Sequence, residues 1–262
     1  MTTSKKLIVA NWKMNPETPR EAKDLYAAAK LIASKVSSVD LVLCPPSIFI
    51  GFLNHKATKN FSLGMQDVAS DKGSGAFTGS VSATMVAYVG AEYTLVGHSE
   101  RRAAGETDEI INSKIKLALS AELTTILCVG EKERDSHGDY LEVIRTQLEK
   151  GLAGLKKTQF KNIIIAYEPV WAIGKTAVVA DSPESFFQTA LFIRKIVSNL
   201  AGKEAAHSIK VLYGGSVSPK NAAGFLEEGK ADGLLVGRAS LDPISLKNIV
   251  MIASGVAKPS KK

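Results

Sequence analysis

Short apolar runs and longer amphipathic stretches alternate along this chain about eight times, and no other feature narrows its fold so far. The runs rich in Val, Ile and Leu are strand candidates: 7–12, 40–44, 61–65, 93–96, 124–129, 162–167, 209–213 and 233–236. Between them lie helical patterns at 17–36 (with Pro16 at its start), 48–59, 82–89, 108–121, 133–151, 183 to about 200, 219–227 and 243–254. Ser182 reads as an N-cap with Pro183 at the first helical position, and Ser80 or Ser82 can cap the helix at 82–89. Continuous apolar runs mark strands buried on both faces. Strand-then-helix repetition implies parallel strands joined by right-handed crossovers. About eight such units favour closure into a barrel over an open, doubly wound sheet.

Composition bears on what this barrel can be. The chain has 262 residues, 45% of them hydrophobic, which suits one closed barrel of about 250 residues. We expect a single domain over 1–262 with frayed termini at about 1–6 and 256–262, since no linker or change of composition divides the chain. No apolar run approaches the roughly 20 residues a membrane helix needs, so no membrane partner is expected. The first residues are too short and polar for a signal segment. Cys44 and Cys128, each in or at the end of an apolar run, read as reduced, buried thiols of a cytoplasmic protein. The net charge of +7 is scattered, with no arginine-rich or aromatic-interleaved patch, so no nucleic-acid partner is expected. The excess permits attraction of a small anion without requiring it.

In a closed barrel the C-terminal strand ends share one mouth, so residues just after the strands become neighbours. The first strand delivers Asn11 and Lys13, the fourth His98, and the sixth Glu168, a carboxylate stopped by Pro169 and followed by an apolar, Gly-containing segment. An acid at the end of a buried strand beneath an apolar flap suits a general base. A His at the start of a helical turn can donate as a neutral imidazole. Taken singly, each has an ordinary reading: a surface Lys, a structural His, a solvated Glu. The seventh and eighth strands end in Gly214-Gly215-Ser216 and Gly237-Arg238, each followed by a helix. Two such turns aim backbone N–H groups at a common point, where many barrels hold a phosphate.

Six stretches then carry a resemblance. Asn11-Trp12-Lys13-Met14-Asn15, Gly75-Ala76-Phe77-Thr78-Gly79, Gly97-His98-Ser99-Glu100-Arg101-Arg102, Cys128-Val129-Gly130-Glu131, Tyr167-Glu168-Pro169-Val170-Trp171-Ala172-Ile173-Gly174 and Tyr213-Gly214-Gly215-Ser216-Val217 resemble, in order, the signature stretches of the triosephosphate isomerases. The resemblance implies an α/β fold, a single (β/α)8 TIM barrel, and an isomerase interconverting dihydroxyacetone phosphate and D-glyceraldehyde 3-phosphate through an enediolate, in glycolysis and gluconeogenesis. It implies Glu168 as base, His98 as electrophile and proton shuttle, and Lys13 as the cation balancing the phosphate and the enediolate. It further implies that Asn11 binds substrate oxygens and that the N–H groups of Gly174, Ser216, Gly237 and Arg238 hold the phosphate. By the same resemblance Glu100, Cys128, Tyr213 and Thr78 are expected as supporting residues, and no metal or organic cofactor is expected. The resemblance implies too that the long loop at 66–79 joins a homodimer, with Thr78 touching the partner's Asn11. A barrel that has lost catalysis and serves only in binding is the alternative; Lys13, His98 and Glu168 together speak against it.

The chain departs from the family pattern in places. The flap reads Gly174-Lys175-Thr176-Ala177-Val178-Val179-Ala180, and its far hinge is either 175–177 or 178–180. Its bond to Tyr213 depends on that choice. Arg238 stands where the pattern has a second glycine. Its N–H serves provided its φ is negative, with the side chain turned away or reaching the phosphate. The segment after Arg102 is short, and an ion pair between Arg101 and Glu106 is expected.

Overall fold

The computed structural model describes residues 5–53, 58–71, 73–135, 137–172 and 181–255. Eight parallel strands close in sequence order: β1 (Lys6–Asn11), β2 (Val39–Cys44), β3 (Phe61–Met65), β4 (Tyr93–Val96), β5 (Thr124–Val129), β6 (Ile163–Tyr167), β7 (Lys210–Tyr213) and β8 (Gly233–Val236), with β8 returning to β1. The expected α/β barrel is therefore the fold. Residues such as Val9, Val42, Leu95, Ile126, Leu212 and Leu235 fill its interior, and a larger apolar layer packs strands against helices outside. This two-sided burial is why the strands read as unbroken apolar runs. β1 and β8 approach so closely that a Cβ at Gly233 would lie 1.8 Å from the Leu7 carbonyl oxygen.

The helices follow local chemistry more closely than apolar periodicity alone foretells. The first, α1 (Pro19–Ser34), begins after Thr18 and not at Pro16: Thr18 and Glu21 form a capping box, and Pro19 takes the first helical position. The expected helix at 48–59 is a single turn among the described residues, α2 (Ser47–Ile50). Ser82, not Ser80, caps α3 (Ala83–Tyr88). α4 (Ser99–Ala103) and α5 (Asp108–Ser120) follow β4. α6 (Tyr140–Gly151) starts later than 133. Asp135 accepts the N–H groups of His137, Gly138, Asp139 and Tyr140 and so closes a turn where a helix was expected. α7 (Pro183–Ala201) is capped by Ser182 as expected; α8 (Lys203–Ser208), not anticipated, follows Gly202. α9 (Ala222–Glu227) and α10 (Pro243–Ala253) complete the ring. No helix among the described residues is long and apolar enough to cross a membrane.

Candidate active site

β1 delivers Lys13 through a turn with φ of 53°, an uncommon region for a residue with a side chain. The Asn11 side-chain oxygen accepts the Lys13 N–H at 3.0 Å, and Gln66 Nε2 donates to the Lys13 and Cys44 carbonyls at 2.8 and 2.9 Å. Held on both sides, Lys13 turns its ammonium into the mouth and donates to Glu100 Oε1 at 2.6 Å.

His98 caps α4, and the loop bearing it is pinned by Arg102, which donates to the Gly97 and Cys128 carbonyls and to Asp108. The Glu100 N–H donates to His98 Nδ1 at 3.2 Å. Nδ1 is therefore the acceptor, and the proton of the neutral ring sits on Nε2. That nitrogen lies 3.2 Å from Glu168 Oε1. The other carboxylate oxygen accepts the Ser99 N–H at 2.9 Å.

Glu168 is only 2% exposed and continues the line of β6, its N–H donating to the Val129 carbonyl at 2.8 Å. The neighbouring backbone must be bare here, because a Cβ at Gly130 would stand 1.9 Å from the Glu168 carbonyl oxygen. Beneath the carboxylate sits Cys128. Burial, reinforced by the charge of Glu168, pushes its thiol well above the ordinary range, so it is a neutral packing group.

The opposite end of the mouth is lined by backbone. Among the described residues the N–H groups of Ser216, Gly237 and Arg238 have no hydrogen-bond partner. The Ser216 hydroxyl donates to the Ala172 carbonyl at 2.9 Å. Arg238 opens a 3-10 turn, Arg238–Leu241, and is not among the residues of positive φ. A Cβ at Gly237 would lie 3.5 Å from Lys13 Cε, so this turn and the ammonium meet. Together with Asn11, Lys13, His98 and Glu168 these residues line one cavity of about 700 Å³. A caged carboxylate, a neutral imidazole, a cation and unengaged N–H donors can bind an anionic carbonyl compound and move a proton beside its carbonyl.

The match to known proteins agrees with this chemistry. The family model for triosephosphate isomerase matches residues 6–253. The chain is 42% identical to the triosephosphate isomerase of Citrifermentans bemidjiense, over 94% of this chain and 98% of the relative. It is 43% identical to those of Moorella thermoacetica, covering 93% and 97%, and Carboxydothermus hydrogenoformans, covering 94% and 98%.

The chain belongs to the triosephosphate isomerase family. It is accordingly an isomerase of a phosphorylated triose, a glycolytic enzyme. Of the residues singled out from the sequence, the mouth of this triosephosphate isomerase barrel brings together Asn11, Lys13, His98, Glu100, Cys128, Glu168, Ser216, Gly237 and Arg238. Tyr213 is buried and stacks on Phe225 with ring centroids 3.6 Å apart. Its expected bond to the flap, together with Gly174 and the choice of hinge, lies outside the described residues. Thr78 is exposed on its loop. The expected Arg101–Glu106 pair forms at 2.6 Å, within a cluster that includes Asp67 and Lys114.

Several positioning groups escaped the sequence reading. Ser99 and Gln66 act by backbone N–H and by carboxamide, which leave little trace in a motif. Glu131 and Trp171 stood in recognised stretches without a role. Glu131 Oε1 accepts the Tyr167 hydroxyl and the Trp171 indole N–H, each at 2.8 Å, just before residue 173. Arg134 stacks on Tyr140, 4.2 Å from its ring centre, and donates to the Tyr167 hydroxyl.

Proposed function

We propose that this protein interconverts dihydroxyacetone phosphate and D-glyceraldehyde 3-phosphate, with Glu168, His98 and Lys13 as its catalytic groups. The observation that carries the assignment is the approach of His98 Nε2 to Glu168 Oε1 at 3.2 Å over a cavity that also holds the Lys13 ammonium. Glu168 removes a proton from the hydroxymethyl carbon beside the substrate carbonyl. The electron pair moves into the new carbon–carbon double bond, and the carbonyl oxygen takes up negative charge. His98 donates from Nε2 to that oxygen and passes protons between the two oxygens of the enediolate. Glu168 then returns its proton to the neighbouring carbon, giving the aldehyde. Lys13 balances phosphate and enediolate charge, Glu100 holds its ammonium, and Asn11 bonds the substrate oxygens.

The N–H groups of Gly174, Ser216, Gly237 and Arg238 hold the phosphate, and three of these four are unengaged among the described residues. Before chemistry Glu168 exchanges its bond to the Ser99 N–H for a place over the substrate carbon; the bare Gly214 beside its Cγ leaves room for that swing. Excluding water keeps the enediolate from eliminating its phosphate.

The active form is a homodimer joined through the loop at 66–79, with Thr78 against the partner's Asn11. Met14 at 92% exposure and Phe77 at 43% are apolar groups that such an interface would cover. The enzyme works in the cytoplasm, a reading supported by two free, buried cysteines. A coupled assay of glyceraldehyde 3-phosphate turnover on the purified chain tests the activity, and light scattering on the same sample tests the dimer. An inactive Glu168→Gln and an active parent are expected; fully active monomers would refute the dimer.

A further inference from the structure

Arg238 is the unusual member of the phosphate end. It is exposed and lines the catalytic cavity, and its side chain makes no ion pair or hydrogen bond among the described residues. Three buried or half-buried arginines elsewhere in the molecule, by contrast, are held by partners. Arg102 spans two carbonyls and Asp108, Arg134 lies between two tyrosines, and Arg194 caps two carbonyls and pairs with Asp232. The acid closest to Arg238 in sequence, Asp242, is occupied as the cap of α10, accepting the N–H groups of Ile244 and Ser245. Arg238 also opens its 3-10 turn, so its backbone N–H and its side chain leave the same Cα at the rim where Gly237 meets Lys13.

We infer that the Arg238 guanidinium is a second cationic anchor for the substrate's phosphoryl group, working with Lys13 and with the backbone donors. This rests on the assignment of the cavity as the triose phosphate site. The chemistry suits it: a guanidinium presents a fixed fork of donors to phosphate oxygens, and a free fork at a rim loses little by turning onto one. The phosphate dianion then meets Lys13 on its reacting side and Arg238 on its solvent side. The anchor acts on both ground and transition states, since the phosphate does not change during the reaction. It therefore governs KM and anion affinity more than kcat.

Steady-state kinetics of the parent, Arg238→Gln, Arg238→Lys and Lys13→Met, with inorganic phosphate as competitive inhibitor, test the inference. Arg238→Gln is expected to raise KM and the phosphate inhibition constant together by about fivefold, with a smaller change in kcat, as befits one charge-assisted contact at a solvent-exposed rim. Arg238→Lys is expected to recover part of both, and the salt dependence of kcat/KM should flatten in Arg238→Gln. Parental KM and inhibition constant in Arg238→Gln overturn the anchor. Lys13→Met reports separately on the cavity: it is expected to lose turnover, and retained turnover there would overturn the site assignment itself.

Discussion

The two ends of the barrel use similar residues to opposite effect. At the N-terminal end the polar groups are spent on the fold. Lys6 donates to the Ala231 carbonyl at 2.6 Å and Lys210 to the Lys5 carbonyl at 2.7 Å. Arg194 donates to the Ala206 and Ile209 carbonyls and to Asp232, which in turn accepts the Val211 N–H. At the C-terminal end donors stay open: three backbone N–H groups and the Arg238 guanidinium have no partner among the described residues. Catalysis requires this difference, because a donor already satisfied has nothing to offer a transition state. Saturated groups stabilise; open groups, held in place by saturated neighbours such as Gln66 and Arg102, act.

Four experiments can break or sharpen that contrast. The largest effect is expected from Gly233→Ala, whose new Cβ would collide with the Leu7 carbonyl where β8 closes on β1. A loss of about 3 kcal/mol or more in denaturant unfolding is expected, with near-parental kcat in whatever folds. Glu168→Asp, at the other end, should do the reverse. Withdrawing the carboxylate by one methylene is expected to lower turnover by about a hundredfold or more while Tm and inorganic phosphate affinity change little. Full turnover in this variant would mean that Glu168 is not the base. Arg194→Met removes a partly buried cap and is expected to cost about 2 kcal/mol of stability, with kcat/KM of the folded enzyme retained. A comparable loss of activity without loss of stability would erase the distinction between the two ends.

The smallest effect concerns pH. Asp135 accepts four backbone N–H bonds, and although burial opposes the shift, those bonds hold its carboxyl down at about 2 from 3.8. A carboxylate depressed in the folded state contributes stability above its unfolded value and loses that contribution as pH falls. Asp135→Asn should therefore narrow the stability difference between neutral pH and about pH 2, measured by thermal melts across that range. An unchanged acid limb would show that the turn is not held by this carboxylate.

How far the site could be read from the chain alone varied with the kind of group. Lys13, His98 and Glu168 were legible because each follows an apolar run within a distinctive stretch. Ser99, Gln66 and Gly130 were not, since what matters there is a backbone N–H, a carboxamide and a missing side chain aimed at residues remote in sequence. Helix starts moved for a similar reason. The box formed by Thr18 and Glu21 displaced the start from Pro16, and the four bonds to Asp135 replaced the first turns of α6. Periodicity reports which face is apolar, not where side chains capture the backbone.

The sequence by itself determined that strands and helices alternate into a parallel barrel, and which side chains stand at the strand ends. Those are local properties, carried by the spacing of apolar residues and by short runs of neighbours. Only the tertiary structure decided which of the many cations are consumed as caps and which, like Arg238, remain open over the cavity. The saturation of a polar group depends on partners brought to it from elsewhere in the chain, and no local pattern encodes them.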